Sequence, residues 1–305
     1  MPGARLAIVT GKGGVGKTTV AAALARAAAQ EGRRVLVVEI ASPGRMASVL
    51  DVDELRSDPL EVHPHLHAVA LDEARALEHL VDGLLPLRFL SRQLLSSETF
   101  RIVAAAVPGI LEIAILAQVE EWMRARSGRR GGYDLVILDA PASGHSVPLL
   151  SSPRTLSGLA AIGPLGDTVR RISRCLTDPR RTMAFVVAIP EEWAVAEAVE
   201  LVDSLRGELA VPVARPVLNA TFPRRFSKKD EKLLDEAGRN GTIDPDLLIA
   251  GRYFLQRRKS AQKQGKALRK ATGLKPVELP FVFSGTMTWE DLDPVSEALR
   301  AGLAA

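Results

Sequence analysis

The stretch TGKGGVGKTTV, residues 10–20, restricts the fold of this chain more than any other. It satisfies the pattern G-x-x-x-x-G-K-[ST] with Gly11, Gly16, Lys17 and Thr18. Glycines let consecutive amide N–H groups face phosphate oxygens with no Cβ in the way. The apolar run before it, RLAIVT (5–10), reads as a buried parallel strand. The alanine-rich run after it (18–32) reads as a helix that stops at Gly32. A loop in that context sets an anion on a helix N-terminus. Residues Gly11, Lys12, Gly13, Gly14, Val15, Gly16, Lys17, Thr18 and Thr19 are therefore expected to cradle a nucleotide phosphate chain. Lys17 should reach the β/γ-phosphates and the Thr18 hydroxyl should ligate Mg²⁺.

The rest of the chain alternates short apolar runs with helical patterns. Strands are expected at 34–40, 66–72, 133–141, 183–190 and 213–220, with a last edge strand at 275–282, where proline is tolerated. That alternation argues for an α/β chain with a doubly wound, mostly parallel sheet and the nucleotide at the strand C-termini. We expect one domain over 1–305, with a helical insertion subdomain at about 75–130 and a second helical, basic segment at about 225–271.

Composition excludes several classes. The chain of 305 residues is 47% hydrophobic and 25% charged, with a formal charge of +4, too mild to imply a nucleic-acid partner by itself. Cys175 is the sole cysteine, so neither an intrachain disulfide nor a thiolate metal cluster can be built. The apolar run at the N-terminus has strand length and leads into the loop, which is unlike a signal peptide. The run 102–119 is interrupted by Pro108, Gly109 and Glu112 and is short for a bilayer. A cytoplasmic location is expected.

Lys12 makes the loop more specific. KGGVGKTT resembles the deviant Walker A loop of a class of dimeric P-loop NTPase switches. That class includes partition and septum-placement ATPases, the nitrogenase iron protein, and the arsenite-efflux and tail-anchored-protein targeting ATPases. There the first lysine reaches the partner's nucleotide, supplying a cation only when two subunits close. Further stretches occur in the order of the last branch. LDAPASGH (138–145) resembles its DTAPTGH switch, placing Asp139 as the carboxylate that holds Mg²⁺ through water, with Ser143, Gly144 and His145 on Thr-Gly-His. VPGILE (107–112) resembles PGIDE, and IPEEWAVAE (189–197) resembles the PE motif with a following helical glutamate. VLNATFP (217–223) places Asn219 where the family sets an asparagine against adenine. The resemblance implies ATP and Mg²⁺ as ligands, hydrolysis, and a homodimer or a pairing with a related ATPase subunit. It also implies a hydrophobic client or membrane protein as partner.

One stretch departs from the family. Its first switch reads DPAH, with an aspartate that orients the attacking water. Here VVEIASPGRMASVL places Ala41 or Ser42 at that position, depending on the alignment of Pro43. Serine is a poor base at neutral pH. Glu39, two residues earlier, either stands in or is a strand-end carboxylate near Mg²⁺. Three functions stay open: an ATPase coupled to a client or membrane step, a nucleotide-gated regulatory subunit with weak turnover, and a partition-type cargo-positioning ATPase. The family's paired-cysteine dimer clasp and arsenite-binding cysteines are missing.

Three other stretches have bland and functional readings. HPHLH (63–67) places His63, His65 and His67 at alternate positions, a metal-site spacing, but a surface turn running into a strand is favoured because Pro64 disturbs a regular strand. Residues 251–270 carry eight Lys or Arg and no acid, which suits either a solvated face or a surface for nucleic acid, acidic lipid or an acidic partner. Nucleic acid is the disfavoured option, because aromatic interleaving is limited to Tyr253 and Phe254. Leu84, Leu85, Leu87, Phe89, Leu90, Leu94 and Leu95 either line a client groove or pack as core, and core packing is favoured.

Overall fold

The computed structural model describes residues 3–40, 44–84, 107–124, 132–158 and 162–304. Eight strands form one sheet: β1 (Leu6–Gly11), β2 (Val35–Glu39), β3 (Leu60–His63), β4 (Leu66–Ala70), β5 (Leu135–Asp139), β6 (Thr182–Ala188), β7 (Val217–Thr221) and β8 (Val277–Pro280). Their spatial order is β3-β4-β2-β5-β1-β6-β7-β8. All neighbours run parallel except β3, which pairs antiparallel with β4. The expected α/β class and doubly wound, mostly parallel sheet are therefore present.

Alternation along the strands feeds two cores. Leu6 and Ile8 of β1 point to one face, Ala7 and Val9 to the other. The first face is covered by α3 (Glu73–Leu84), α4 (Ile110–Arg124), α5 (Ser143–Ser157), α6 (Pro164–Thr177) and α7 (Glu192–Gly207), through residues such as Leu80, Ile113, Leu149, Ile172 and Leu201. The second face is covered by α1 (Lys17–Gln30), α2 (Arg45–Val49) and α10 (Asp293–Ala304), through Leu24, Met46 and Leu299. Helix α1 is buried at every position from Val20 to Ala29. Its alanines permit that, because a helix enclosed on most sides needs small, apolar side chains. Helices α8 (Lys228–Asn240) and α9 (Pro245–Thr272) lie toward the β7–β8 edge. Among the described residues no helix is long and apolar enough to cross a membrane.

Two strand expectations need correction. β3 was not foreseen: its four residues are half-exposed and flanked by Pro59 and Pro64, so neither length nor alternation marks them. The expected strand at 213–220 is interrupted. Val213 makes a single bridge to Ala184, and the regular ladder begins only after Pro216, which has no N–H to give. The histidine stretch behaves as the turn favoured for it. His63 ends β3, His65 turns with φ 65°, and β4 starts at Leu66. His63 stacks on Trp289 at 3.9 Å, whereas His67 meets the edge of Tyr133 at 5.3 Å. Among the described residues, no three His, Cys, Asp or Glu side chains group to hold a metal. Of the apolar residues proposed to line a groove, Leu84 is partly buried against the first core, and Leu85, Leu87, Phe89, Leu90, Leu94 and Leu95 lie outside the described residues.

Candidate functional site

A cleft of about 820 Å³ opens at the carboxyl ends of β1, β2 and β5. Its floor is the glycine-rich loop, and Gly13, Gly14, Gly16, Lys17, Thr18 and Thr19 all line it. Gly11, the last residue of β1, has φ 151° and lies against the Val187 carbonyl, where a Cβ would collide. Gly16 has φ 88°, a backbone that favours glycine, and lies against the Asn219 side-chain amide, which would have to shift to admit a Cβ. Gly16 is also the residue before α1, and no side chain caps that helix. Its first N–H groups are therefore open to an anion in the cleft.

Charge in the cleft is arranged around Asp139. The Thr18 hydroxyl donates to Asp139 Oδ2 at 2.7 Å. Asp139 is buried, and its Oδ1 has no hydrogen-bond partner. Burial pushes its pKa up to about 6, against the pull of Thr18 and Lys17. Lys17 Nζ donates to the Lys12 carbonyl at 3.1 Å. Burial pulls its pKa below the ordinary lysine value, an effect Asp139 opposes and Arg45 reinforces. Glu39 stands beside Asp139 in the β2–β5 register. Its Oε1 accepts from the Met46 amide at 3.0 Å, while Oε2 is buried without a partner. Burial raises the Glu39 pKa, partly offset by the amides of Met46, Gly44 and Arg45. Orphaned carboxylate oxygens on neighbouring strands, with a hydroxyl between strand and loop, are hard donors that suit a magnesium ion. Thr18 and Asp139 are placed where they could hold one, with Glu39 beside Asp139.

The other expected positions fall around this centre. Ser143, Gly144 and His145 form the first turn of α5, and His145 lines the cleft. Ser146 fixes that turn to β1, accepting from Thr10 Oγ1 at 2.7 Å. Val15 is buried, and its carbonyl accepts from Asn219 Nδ2 at 3.0 Å. Asn219 is aimed at the loop by a break in the β7–β8 register, where Ala220 takes φ 57°. Lys12 is exposed and pairs with Glu197 of α7 in the same chain, with Trp193 5.9 Å away. Ser42 lies outside the described residues, with Ala41 and Pro43.

Several cleft residues were not foreseen, Met287 and the α2 residues Arg45, Ser48 and Val49 among them. Met287 reaches the cleft from the segment after β8, and nothing local in the sequence marks it. Arg45 opens α2 and lines the cleft. Its signal was available: a lone cation two residues beyond Pro43, in the stretch whose Ala41 or Ser42 replaces the expected aspartate. The basic segment, by contrast, spends several cations internally. Arg257 pairs with Glu191, Arg258 lies 3.5 Å from Glu278, and Lys259 lies 2.8 Å from Glu231.

Comparison with known proteins bears on this cleft. Residues 4–162 match the family model described as anion-transporting ATPase. The chain is 30% identical over 258 residues to ATPase BagA of Mycobacterium tuberculosis, covering 82% of this chain and 74% of that one. It is 29% identical over 214 residues to the Chlorobaculum tepidum protein named "Putative arsenical pump-driving ATPase", covering 67% of this chain and 48% of that one. A protein of the same name from Halobacterium salinarum is 28% identical over 270 residues, covering 81% and 41%.

Proposed function

As this chain belongs to the anion-transporting ATPase family, we propose that it is a Mg²⁺-dependent, ATP-hydrolysing dimeric switch whose nucleotide state is coupled to a hydrophobic client or membrane partner. The observation that carries the reading is the buried Asp139 carboxylate. One oxygen is held by Thr18, the other is unpaired, and Lys17 stands in the same cleft. In this reading the amides of the loop and of the first turn of α1 hold the phosphate chain, and Lys17 neutralises its outer oxygens. Thr18 and Asp139 hold Mg²⁺, which when bound offsets phosphate charge and polarises the terminal phosphate. Asn219 braces the loop through the Val15 carbonyl and faces the base.

Turnover is proposed to be slow. Glu39 carries its carboxylate against the amides that start α2, so one of its oxygens is already engaged away from a water. That favours the regulatory-subunit reading as a second possibility. Steady-state turnover of the purified chain with Mg-ATP separates the two, and fast hydrolysis that persists in Glu39→Gln would remove the ground for slowness. A chain that binds no ATP would remove both.

Asp139 gives the reading a pH signature. Its raised pKa means the empty fold gains stability from the protonated form below the ordinary carboxylate range and loses it as pH rises through about 6. Metal binding needs the ionised form, so its trend runs the other way. The ratio of ATP affinity in Mg²⁺ to that in chelator is expected to fall as pH drops through about 6. Titration calorimetry across that range tests it, and a flat ratio would argue against Asp139 as the metal ligand.

Lys12 is proposed to serve the neighbouring nucleotide. Alone, the chain keeps it on Glu197, a half-exposed pair worth under about 1 kcal/mol and so easily exchanged. Lys12→Ala is expected to leave ATP binding by the single chain nearly unchanged and to lower turnover about tenfold to a hundredfold, the scale of one charge-assisted contact. Glu197→Gln, which frees the lysine, should lower the ATP concentration needed for dimerisation about twofold to fivefold. Sedimentation velocity and turnover measure both. Wild-type turnover and assembly in Lys12→Ala would show the lysine to be a solvated loop residue.

A further inference from the structure

The cleft holds a second cation that the phosphate loop does not account for. Arg45 makes no ion pair among the described residues, although its charge is felt at both Lys17 and Asp139. Two cations sharing a partly buried cleft repel each other unless an anion comes between them. Lys17 is already placed by the loop, so the arrangement calls for an anion on the Arg45 side.

The helix that carries Arg45 is held at both ends. At its start, the Glu39 carboxylate meets the amides of Gly44, Arg45 and Met46, and Glu39 sits in register with Asp139. At its end, the Leu50 carbonyl is 3.0 Å from His63 Nε2, and Asp51 accepts from the Trp289 amide at 3.1 Å. Met46, Val49 and Leu50 are buried beneath it. The backbone under Arg45 is thus braced while the residue itself is exposed to the cleft.

We propose that Arg45 is the reader of the terminal phosphate: its guanidinium pairs with the γ-phosphate oxygens of a bound nucleoside triphosphate and has no such partner in the diphosphate. The proposal rests on the reading of the cleft as a nucleotide site and adds a specificity residue to it. A guanidinium fork matches two phosphate oxygens at once, which a lysine cannot do. Arginine also stays protonated, so its part is charge and orientation and not proton transfer. Loss of the terminal phosphate then removes the Arg45 contact, while Glu39, His63 and Trp289 keep holding the two ends of α2.

The test compares ATPγS with ADP, both with Mg²⁺, by calorimetric titration of the full chain. Wild type should prefer ATPγS. Arg45→Ala should weaken ATPγS about tenfold to a hundredfold and ADP by no more than about threefold. Arg45→Lys should recover part of the preference, which also guards against a misfolded alanine variant. Equal losses for both nucleotides, or no loss for either, would overturn the proposal and leave the nucleotide site intact. A wild type that binds neither nucleotide would overturn the site along with it.

Discussion

Lys17→Ala is expected to lower ATP turnover by about two to three orders of magnitude while leaving the empty chain no less stable. The catalytic half follows from position. Lys17 opens α1 directly after the loop and shares the cleft with Thr18 and Asp139. A cation fixed there stabilises charge that develops on the terminal phosphate, and water cannot replace it once the cleft is filled. The stability half follows from desolvation. Burial lowers the Lys17 pKa, so at neutral pH the empty fold bears a cost for keeping it charged. Its attraction to Asp139 offsets only part of that, because burial is the larger effect. Alanine removes both, and the deleted hydrogen bond ends on the Lys12 carbonyl, in an exposed part of the loop. Turnover assays and thermal unfolding without nucleotide measure the two halves. A melting point that falls in step with turnover would make Lys17 a structural residue.

That lysine was legible in the sequence because its whole context is contiguous. The strand, the glycines, the lysine and the threonine follow one another within a few residues, and each imposes local backbone geometry. Asp139 was legible for the same reason, as the polar end of an unbroken apolar strand. What escaped depends on contacts far apart in the chain. Lys12 and Glu197 are separated by 185 positions, and Asn219 and the Val15 carbonyl by 204. Strand periodicity says that Asn219 ends a strand. It does not say that a slipped register and a positive φ at Ala220 turn the side chain onto the loop. Arg45 is an intermediate case. Its place in the sequence is plain, but only the fold brings it to the cleft that Lys17 lines. β3 was hidden because an edge strand of four residues has too few positions for alternation to register.

Arg26→Ala is expected to destabilise the fold by about 2–4 kcal/mol, far more than a surface arginine would. Arg26 lies on α1, a helix otherwise almost wholly apolar on its buried positions, and it is 9% exposed. Its guanidinium donates to the Trp289 carbonyl at 2.6 Å, pairs with Asp293 at the start of α10, and sits 4.4 Å over the Trp289 ring. The same ring stacks on His63 at the end of β3. One residue thus ties the first helix, the last helix and the edge hairpin together. Asp293 is half exposed and can regain water, so the ion pair itself contributes little. The larger losses are the Trp289 carbonyl left without its donor, the cation–π contact, and the buried methylene stem. Arg26→Met keeps the stem and should recover about half of the loss. Because Met287 is two residues from Trp289 and lines the cleft, ATP affinity should weaken in Arg26→Ala as well, by less than the stability does. Chemical denaturation of the three chains decides the matter. A loss below about 0.5 kcal/mol would place Arg26 among ordinary surface residues and release Trp289 from the role given to it.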